Sequence, residues 1–274
     1  LNHSDSKLIF VDSEFLPAVK EAFKIASHKI PIIVIDDCKD FKKNINTEKL
    51  YEKFLSQGSS KDLSIALNIN DEWFPISLSY TSGTTGEPKG VVTHHRGAYL
   101  NAISNHLIWN LKKNPIYLWT LPMFHCNGWC FPWTIATSIG VTVCLRHVRE
   151  DAVFTAIKEH DVTHFCGAPV VLNSLINAED ELKQGISQTV KVMTAGAAPP
   201  AAVIQGMETM GFDVTQVYGL TETYGPMIVS AWRSEWDALD EGQKARVDVA
   251  GFRHAAFRGP VVDLCAAVSE LGDG

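Results

Sequence analysis

The chain has 274 residues, of which 46% are hydrophobic and 20% charged, a size and composition that suit one large globular domain or two small ones. Its formal charge of -7 and its lack of a lysine or arginine run argue against a nucleic-acid partner, which requires a basic face. Its 6 cysteines include no C-x-x-C pair, which favours reduced, buried thiols and a cytoplasmic location. Residues 114–145 carry no Asp, Glu, Lys or Arg, but prolines and glycines divide them into pieces too short to span a membrane.

Strand and helix patterns alternate along the chain, beginning with a strand at 8–11, a helix at 15–28 and an apolar strand at 31–35. Residues 36–72 are polar, with one helix expected at 47–57. Later strands are expected at 75–80, 116–121, 141–145, 163–166, 190–195 and 214–218. Later helices are expected at 94–109, 129–138, 150–160, 169–177 and 199–210. Repeated βα units predict an α/β fold, a doubly wound and mostly parallel sheet with helices on both faces.

One segment, Tyr80-Thr-Ser-Gly-Thr-Thr-Gly-Glu-Pro-Lys-Gly90, concentrates glycines and hydroxyl groups between the predicted strand at 75–80 and a helix predicted from His94. Glycines let the backbone turn tightly and bring N–H groups towards an anion, and Lys89 adds a positive charge. A strand, such a loop and a helix together predict a phosphate cradle. The segment is not a Walker A loop, because no Ser or Thr follows Lys89. The plainer alternative is an exposed loop of turn-forming residues, which the full string disfavours.

Three further segments follow in order: Pro122-Met-Phe-His-Cys-Asn-Gly-Trp129, Gly196-Ala-Ala-Pro-Pro200 and Tyr218-Gly-Leu-Thr-Glu-Thr223. Together with the phosphate segment they resemble the adenylate-forming superfamily of acyl-CoA synthetases, luciferases and peptide-synthetase adenylation domains. The form His125-Cys-Asn-Gly-Trp129 resembles the short- to medium-chain fatty acyl-CoA ligases, which include ligases for methylthio-propionate. Each segment follows or ends a predicted strand, so the four are expected to meet at one edge of the sheet, where α/β proteins bind ligands.

The resemblance implies a site for ATP and Mg²⁺, with coenzyme A as a co-substrate. The residues implied for the nucleotide are Thr81, Ser82, Gly83, Thr84, Thr85, Gly86 and Lys89 at the phosphates, Gly196, Ala197, Ala198 and Pro199 beside adenine, and Tyr218, Gly219, Thr221 and Glu222 in the last motif. Mg²⁺ is implied at Glu222 and Thr84, since a carboxylate beside a triphosphate needs a cation between them. The residues implied for the carboxylic acid are His125, Asn127, Gly128 and Trp129. The implied catalytic residues are Lys89, Glu222 and His125.

Each assignment competes with a plainer interpretation. Tyr218 and Trp129 also suit core packing, His125 a satisfied core histidine, and Glu222 an exposed surface carboxylate. The loop at 196–200 also suits a simple strand-to-helix turn. A metal site at His125, Cys126 and Cys130 is disfavoured against buried thiols. Three neighbours of the aromatic motif are expected to be plain core residues: Met123, Phe124 and Phe131.

The resemblance implies an AMP-forming carboxylate–CoA ligase. The carboxylate of a short- to medium-chain fatty acid attacks the α-phosphorus of ATP, pyrophosphate leaves, and the thiol of coenzyme A then displaces AMP. Lys89, backbone N–H groups and Mg²⁺ neutralise the phosphates. Two alternatives stay open: a non-catalytic nucleotide-binding remnant, and another adenylate-forming activity of the luciferase or peptide-synthetase kind. The pattern indicates neither the particular acid nor the oligomeric state.

Residues 1–246 are expected to form part of an N-terminal AMP-binding domain, with residues 1–46 matching the resemblance only weakly. Residues 247–274 lack Ile, Lys, Asn, Thr, Tyr and Trp and depart from the family pattern, which favours a shifted reading frame over natural divergence. The chain begins with Leu1, and the catalytic module of the family is much longer. A central fragment without the mobile C-terminal lid domain is therefore expected, with little activity of its own.

Overall fold

The computed structural model describes residues 1–36, 50–59, 69–81, 88–230 and 238–239. The chain divides into two compact units, Leu1–Asp71 and Glu72–Gly274. Most of the phosphate segment and the whole tail at 247–274 lie outside the described residues. Across the part that is described, no helix has the length and apolar character needed to cross a membrane.

The first unit is built around two parallel strands. Its elements are β1 (Ile9–Asp12), α1 (Leu16–Ile25), β2 (Ile32–Ile35) and α2 (Tyr51–Ser56). β1 and β2 pair in parallel, and Val34 of β2 is only 2% exposed, which confirms the buried strand predicted from the apolar run at 31–35. Phe10 of β1 meets the ring of Phe54 of α2 edge to face at 5.4 Å.

The second unit carries most of the helices and strands. Its strands are β3 (Pro75–Thr81), β4 (Lys89–His94), β5 (Ile116–Trp119), β6 (Val141–Cys144), β7 (His164–Gly167), β8 (Val190–Thr194), β9 (Phe212–Leu220) and β10 (Gly225–Val229). Its helices are α3 (His95–Ile108), α4 (Phe131–Thr137), α5 (Glu150–Glu159), α6 (Pro169–Ile176), α7 (Asp180–Lys183) and α8 (Ala201–Thr209).

Six strands of this unit form one sheet in the order β10-β9-β8-β7-β5-β6. Strands β5 to β9 are parallel to one another, and β10 pairs antiparallel with β9. The predicted α/β fold with a mostly parallel sheet is therefore confirmed. Parallel strands buried on both faces consist of nearly continuous apolar residues, which is why this part of the chain could be recognised from its sequence.

Helices cover both faces of this sheet. On one face α5, α6 and α8 pack against alternate strand residues such as Leu118, Phe165 and Val192. On the other face the intervening residues Tyr117 and Cys166 pack against α4 and the segment before it. The alternation follows from the two-residue period of a strand and places one core on each side.

The region of the phosphate segment differs from the prediction. β3 does not join the parallel sheet but pairs antiparallel with β4, in a separate two-stranded sheet. The predicted strand–loop–helix cradle is wrong, because β4 separates the loop from α3, which starts at His95. The run Val91-Val-Thr93 explains the difference, since β-branched residues favour a strand.

The strand at 75–80 was predicted to be buried, and this is wrong for the side chains of Leu78 and Tyr80, whereas Ile76 is partly buried against a core cluster. Leu78 is 40% and Tyr80 44% exposed, whereas Ser79 is 7% exposed. The hydroxyl side chains of β3 therefore face inward, towards hydrogen-bonding partners in the second unit.

Candidate functional site

An open cleft lies at the carboxyl ends of β8 and β9. The residues that line it come from three of the four segments singled out in the sequence, together with the start of β10. They are His125, Cys126, Trp129, Ala195, Gly196, Val217, Gly219, Leu220, Gly225 and Pro226. The predicted meeting of these three segments at one edge of the sheet is confirmed. The described ends of the fourth segment, Thr81 and Lys89, lie on the β3–β4 hairpin instead.

One wall of the cleft is a turn of left-handed helix at residues 126–130, here called the left-handed turn. Cys126, Asn127, Gly128, Trp129 and Cys130 have φ values of 46°, 46°, 64°, 56° and 66°. For residues with a side chain this conformation costs about 1–2 kcal/mol each. Strained backbone of this kind persists where the surroundings over-determine it, and it clusters at functional sites. The sequence predicted an ordinary helix from residue 129, whereas α4 starts only at Phe131.

Gly128 is the residue that makes the left-handed turn possible. A Cβ atom at this position would lie 2.4 Å from Cζ2 of Trp119, so only glycine fits beside the indole ring. The N–H of Gly128 donates to the carbonyl of His125 at 2.9 Å. This bond sets His125 at the entrance to the turn, where its side chain is exposed and lines the cleft. Trp129 is 7% exposed and packs in the core below.

The three apolar neighbours of this turn differ in how far their side chains are buried. Phe131 is fully buried, which confirms its place in the core. Met123 is 51% and Phe124 83% exposed, so their predicted core positions are wrong. The left-handed turn accounts for the difference, because it breaks the helical periodicity from which a buried stripe would be inferred.

The loop after β8 forms a second wall. Gly196 has a φ of 92°, and nothing lies within 4 Å of the position that a Cβ atom would take. Gly196, Ala197 and Ala198 are exposed, and Pro199 is buried at the approach to α8. The backbone of this loop is therefore open to the cleft, as the site predicted beside adenine requires.

The end of β9 forms the third wall. Tyr218 is 39% exposed, and Gly219 lies so close to β10 that a Cβ atom would come within 1.9 Å of the Gly225 carbonyl oxygen. A 3-10 turn at Thr221–Thr223 follows, with the side chain of Glu222 exposed. Among the predicted residues, Gly219 lines the cleft itself.

Glu222 lies close to the left-handed turn. Sγ of Cys126 donates to Oγ1 of Thr221 at 3.5 Å. Burial raises the pKa of the Cys126 thiol and the negative charge of Glu222 raises it further, against the opposing effect of the hydrogen bond to Thr221. The structure thus brings the predicted magnesium ligand next to the predicted acyl motif, two segments far apart in the sequence.

Burial raises the pKa of the thiols of Cys126, Cys130 and Cys166, which favours their neutral form. Burial raises the pKa of Cys130 to about 12, and Cys126, Cys130 and Cys166 are buried and unpaired with another cysteine. This confirms buried, reduced thiols at these three positions, whereas Cys144 is exposed. Within the described ranges no group of three or more His, Cys, Asp and Glu side chains is placed to hold a metal ion.

The phosphate segment contributes only its ends to the described structure. Thr81 closes β3 and Lys89 opens β4, and the two residues pair directly across the hairpin. Lys89 is exposed. The other predicted phosphate residues lie outside the described part of the chain: Ser82, Gly83, Thr84, Thr85 and Gly86.

Asn127, predicted to contact the acid, turns its amide oxygen to the hairpin. Oγ of Ser77 donates to Oδ1 of Asn127 at 2.7 Å, and Oγ of Ser79 donates to it at 3.3 Å. Sequence reasoning missed the two serines. Their spacing with Thr81, at every second position of a strand, was the signal that could have found them.

A mostly parallel α/β sheet with a cleft at the carboxyl ends of its strands defines a ligand-binding α/β domain. Residues 1–263 match the family described as AMP-binding enzyme, and the chain belongs to this family. The match continues past Arg246, where the resemblance in the sequence was expected to end.

Two plant proteins are similar to this chain. The acetate/butyrate–CoA ligase of Arabidopsis thaliana, described as peroxisomal, is 46% identical over 262 residues, which cover 90% of this chain and 46% of the relative. The acetate–CoA ligase of Humulus lupulus is 45% identical over 290 residues, covering 100% of this chain and 50% of the relative. The chain thus spans about half the length of these curated relatives.

Solved structures share the fold. A fatty acyl-CoA synthetase of Mycobacterium tuberculosis matches with a TM-score of 0.69 and 22% identity, over 82% of this chain and 42% of that one. The o-succinylbenzoate coenzyme A synthetase of Bacillus subtilis, in complex with ATP and magnesium ion, matches with a TM-score of 0.62 and 22% identity, over 86% and 44%.

Proposed function

We propose that this chain supplies the nucleotide and acid site of an AMP-forming acyl–CoA ligase that acts on short- to medium-chain carboxylic acids. The observation that supports it most is the cleft, which gathers the acyl motif, the loop after β8 and the end of β9 around one space. The two plant relatives named above as acetate and butyrate ligases support the choice of a small acid.

In the first step the carboxylate oxygen of the acid forms a bond to the α-phosphorus of ATP, and the bond from that phosphorus to pyrophosphate breaks. Lys89 balances negative charge on the phosphates, and Gly196 and Tyr218 hold the adenine end. His125, exposed at the entrance to the left-handed turn, donates a hydrogen bond to the reacting carboxylate. In the second step the sulfur of the coenzyme A thiol forms a bond to the acyl carbon and releases its proton to solvent, and the bond from that carbon to the phosphate oxygen of AMP breaks. Charge stabilisation and positioning carry such a reaction, so no covalent role for a side chain is required.

Mg²⁺ fits the residues present. The ion typically takes one or two carboxylates together with phosphate oxygens and water, and Glu222 offers one exposed carboxylate. The negative charge of Glu222 contributes to raising the pKa of the buried Cys126 thiol, which supports a position of this carboxylate beside the cleft. When bound, the ion would neutralise phosphate charge, with Glu222 and Thr84 as its proposed protein ligands.

The domain division and the compartment stay proposals. We assign residues 1–246 to the AMP-binding domain and treat 247–274 as a tail whose reading frame should be checked by translating the neighbouring frames of its DNA. For the compartment we propose the cytoplasm. The Arabidopsis relative is described as peroxisomal, so localisation of a tagged full-length protein is the direct test.

Titration of the purified chain with Mg·ATP, followed by calorimetry, tests the nucleotide site. Lys89→Ala is expected to raise the dissociation constant at least about tenfold, since one charge-assisted contact to phosphate is typically worth 1.5–3 kcal/mol. Lys158→Ala is the matched control, because this lysine lies on α5 and donates to the carbonyl of Leu182. Equal affinities of the two variants would contradict the assignment of Lys89.

Catalysis is tested by incubating the chain with Mg·ATP, coenzyme A and acetate, butyrate or hexanoate. Because the chain spans about half the length of its relatives, we expect ATP binding without measurable acyl-CoA. The full-length protein is expected to form acyl-CoA, and Glu222→Gln in it to lower the rate about 100-fold. A full-length protein that binds ATP but activates no acid would favour a nucleotide-binding role instead.

A further inference from the structure

A set of hydroxyl groups connects the left-handed turn with the β3–β4 hairpin. Oδ1 of Asn127 accepts hydrogen bonds from Ser77 and Ser79 on β3, at 2.7 and 3.3 Å. Oγ of Ser77 is also hydrogen-bonded to Oγ1 of Thr93, its cross-strand partner on β4. The amide oxygen therefore connects β3 directly with the left-handed turn, and Ser77 links β4 to the same set of hydrogen bonds.

The backbone conformation of Asn127 directs its amide oxygen towards the serines of β3. With a φ of 46° the residue lies in the left-handed region, which asparagine tolerates better than most residues with a side chain. Ser79 is 7% exposed, so its hydroxyl lies away from solvent. A buried hydroxyl that loses its acceptor costs free energy, which makes the contact hard to replace.

The same face of the hairpin leads to the proposed phosphate site. Side chains at every second position of a strand share a face, so Ser77, Ser79 and Thr81 lie in one row. Lys89 pairs with Thr81 across the hairpin and joins that face. About 13 Å of strand separates Ser77 from Thr81. A hairpin fixed at its serine end therefore presents Thr81 and Lys89 at a defined place.

A second set of contacts lies beside the hairpin and the left-handed turn. Nε1 of Trp133 donates to Oη of Tyr224 at 2.9 Å. Burial raises the pKa of this phenol, and the nearby hydroxyls of Ser77 and Thr93 oppose that effect. Nδ2 of Asn101 donates to the carbonyl of Tyr224 at 3.0 Å. Tyr224 directly follows the 3-10 turn that carries Glu222, so the network links the hairpin, the left-handed turn and the end of the nucleotide motif.

We propose that Asn127 is a positioning residue that fixes the distance between the hairpin carrying Thr81 and Lys89 and the walls of the cleft, so that the triphosphate and adenine ends of one ATP fit at the same time. The role deepens the proposed function and rests on it. Asn127 exerts this role through the serines, and its contact with the acid stays a prediction from the sequence.

This role predicts a particular pattern of ligand affinities. ATP spans both parts of the site, and its affinity depends on the two parts standing at the right separation, as for any ligand with two linked ends. AMP occupies only the adenine part, and tripolyphosphate only the phosphate part. A change in separation therefore weakens ATP and leaves the two smaller ligands nearly unaffected.

The test measures dissociation constants of Mg·ATP, AMP and Mg·tripolyphosphate for the purified chain and for Asn127→Gly, Ser77→Ala and the double variant. Glycine keeps the left-handed backbone and removes only the amide. For Asn127→Gly we expect ATP to bind about tenfold more weakly, with AMP and tripolyphosphate changed by less than about twofold. Because the amide and the serine act as one unit, Ser77→Ala should add almost nothing in the double variant.

Several outcomes would overturn the proposal. Unchanged ATP affinity in Asn127→Gly would do so, as would an equal loss for AMP, or effects that multiply in the double variant as for a residue touching the ligand directly. Thermal unfolding of each variant checks the fold, and if Asn127→Gly does not fold, Ser77→Ala alone must show the ATP-selective loss. Ser56→Ala on α2 is the control, since its hydroxyl donates only within that helix, to Lys53. A wild-type chain that binds AMP and tripolyphosphate but not ATP would refute only the positioning role of Asn127. A wild-type chain that binds none of the three ligands would refute the proposed function and this role with it.

Discussion

The two faces of the six-stranded sheet are built in different ways. The face covered by α5, α6 and α8 is filled by aliphatic and phenylalanine side chains, and those of Phe154, Ile157 and Leu172 are fully buried. The opposite face contains tryptophans, thiols and a histidine, His164, beside Trp109 at a ring distance of 4.9 Å. The first face is an ordinary hydrophobic core, whereas the second combines packing with polar groups.

The backbone conformation also differs between the helices of the first face and the residues beside the cleft. No residue of α5, α6 or α8 has a positive φ, whereas the left-handed turn and Tyr224 all do, beside the cleft. Strain of this kind reduces stability and is retained where function needs a fixed geometry. The comparison indicates that the face covered by α5, α6 and α8 stabilises the fold, whereas strained backbone on the opposite face lowers stability and shapes the cleft.

The largest effect on stability is expected on the ordinary face. Phe154→Ala removes a fully buried ring and should lower the free energy of unfolding by about 3–5 kcal/mol, measured by urea denaturation. The affinity of the remaining folded chain for Mg·ATP should stay within about twofold, because no cleft residue changes. Val170→Ala on α6, at a side chain that is 72% exposed, is the control and should cost less than about 0.5 kcal/mol. A marked change in ATP affinity would contradict the claim that this face contributes to stability and not to ATP binding.

The polar face should make stability depend on pH. Burial, and to a lesser degree the charge of Lys191, lower the pKa of His164 to about 4. The unfolded chain takes up this proton below about pH 6.5 and the folded chain only below about pH 4, so the free energy of unfolding falls over that window by about 3 kcal/mol.

His164→Phe keeps a ring against Trp109 and removes the titrating group. The difference in unfolding free energy between wild type and variant should therefore shift in favour of the variant as pH falls from 7 to 4, and stay constant above pH 7. Denaturation curves at four pH values measure it. Parallel pH profiles for the two proteins would show that the histidine is already accessible to protons in the folded chain.

The smallest of the three effects concerns the strained turn. Gly128→Ala meets both a positive φ and the ring of Trp119, and should cost about 2 kcal/mol or more in unfolding free energy. Gly211→Ala is the matched control, because its φ is 89° and nothing lies within 4 Å of the added Cβ atom. The excess cost at Gly128 isolates the steric term. Equal costs would mean that the turn moves away from Trp119 freely and is not held by its surroundings.

Much of the fold was accessible from local sequence. The strands from β5 to β9 and helices α5, α6 and α8 were placed within a few residues, because buried parallel strands and amphipathic helices have strong periodic patterns. β4 and β10 were missed. Gly90 and the pair Gly225-Pro226 resemble turn signals, and antiparallel pairing with a neighbour is not encoded in either strand by itself.

The sequence predicted which segments form the site but not the backbone geometry that arranges them. The sequence brought the acyl motif, the adenine loop and the nucleotide motif to one edge, since strand ends meet there. It did not foresee the left-handed turn, because cysteine and tryptophan rarely adopt positive φ and only Asn127-Gly128 hints at it. The inward serines of β3 were hidden by the apolar residues between them.

The central claim is that the cleft at the ends of β8 and β9 binds the adenine end of ATP. Photolabelling with 2-azido- or 8-azido-ATP, followed by peptide mapping, tests it most directly. The label is expected on residues 195–199 or 217–226, with protection by excess Mg·ATP and weaker labelling of Lys89→Ala. Labelling elsewhere in the chain, or labelling that ATP does not prevent, would contradict the claim.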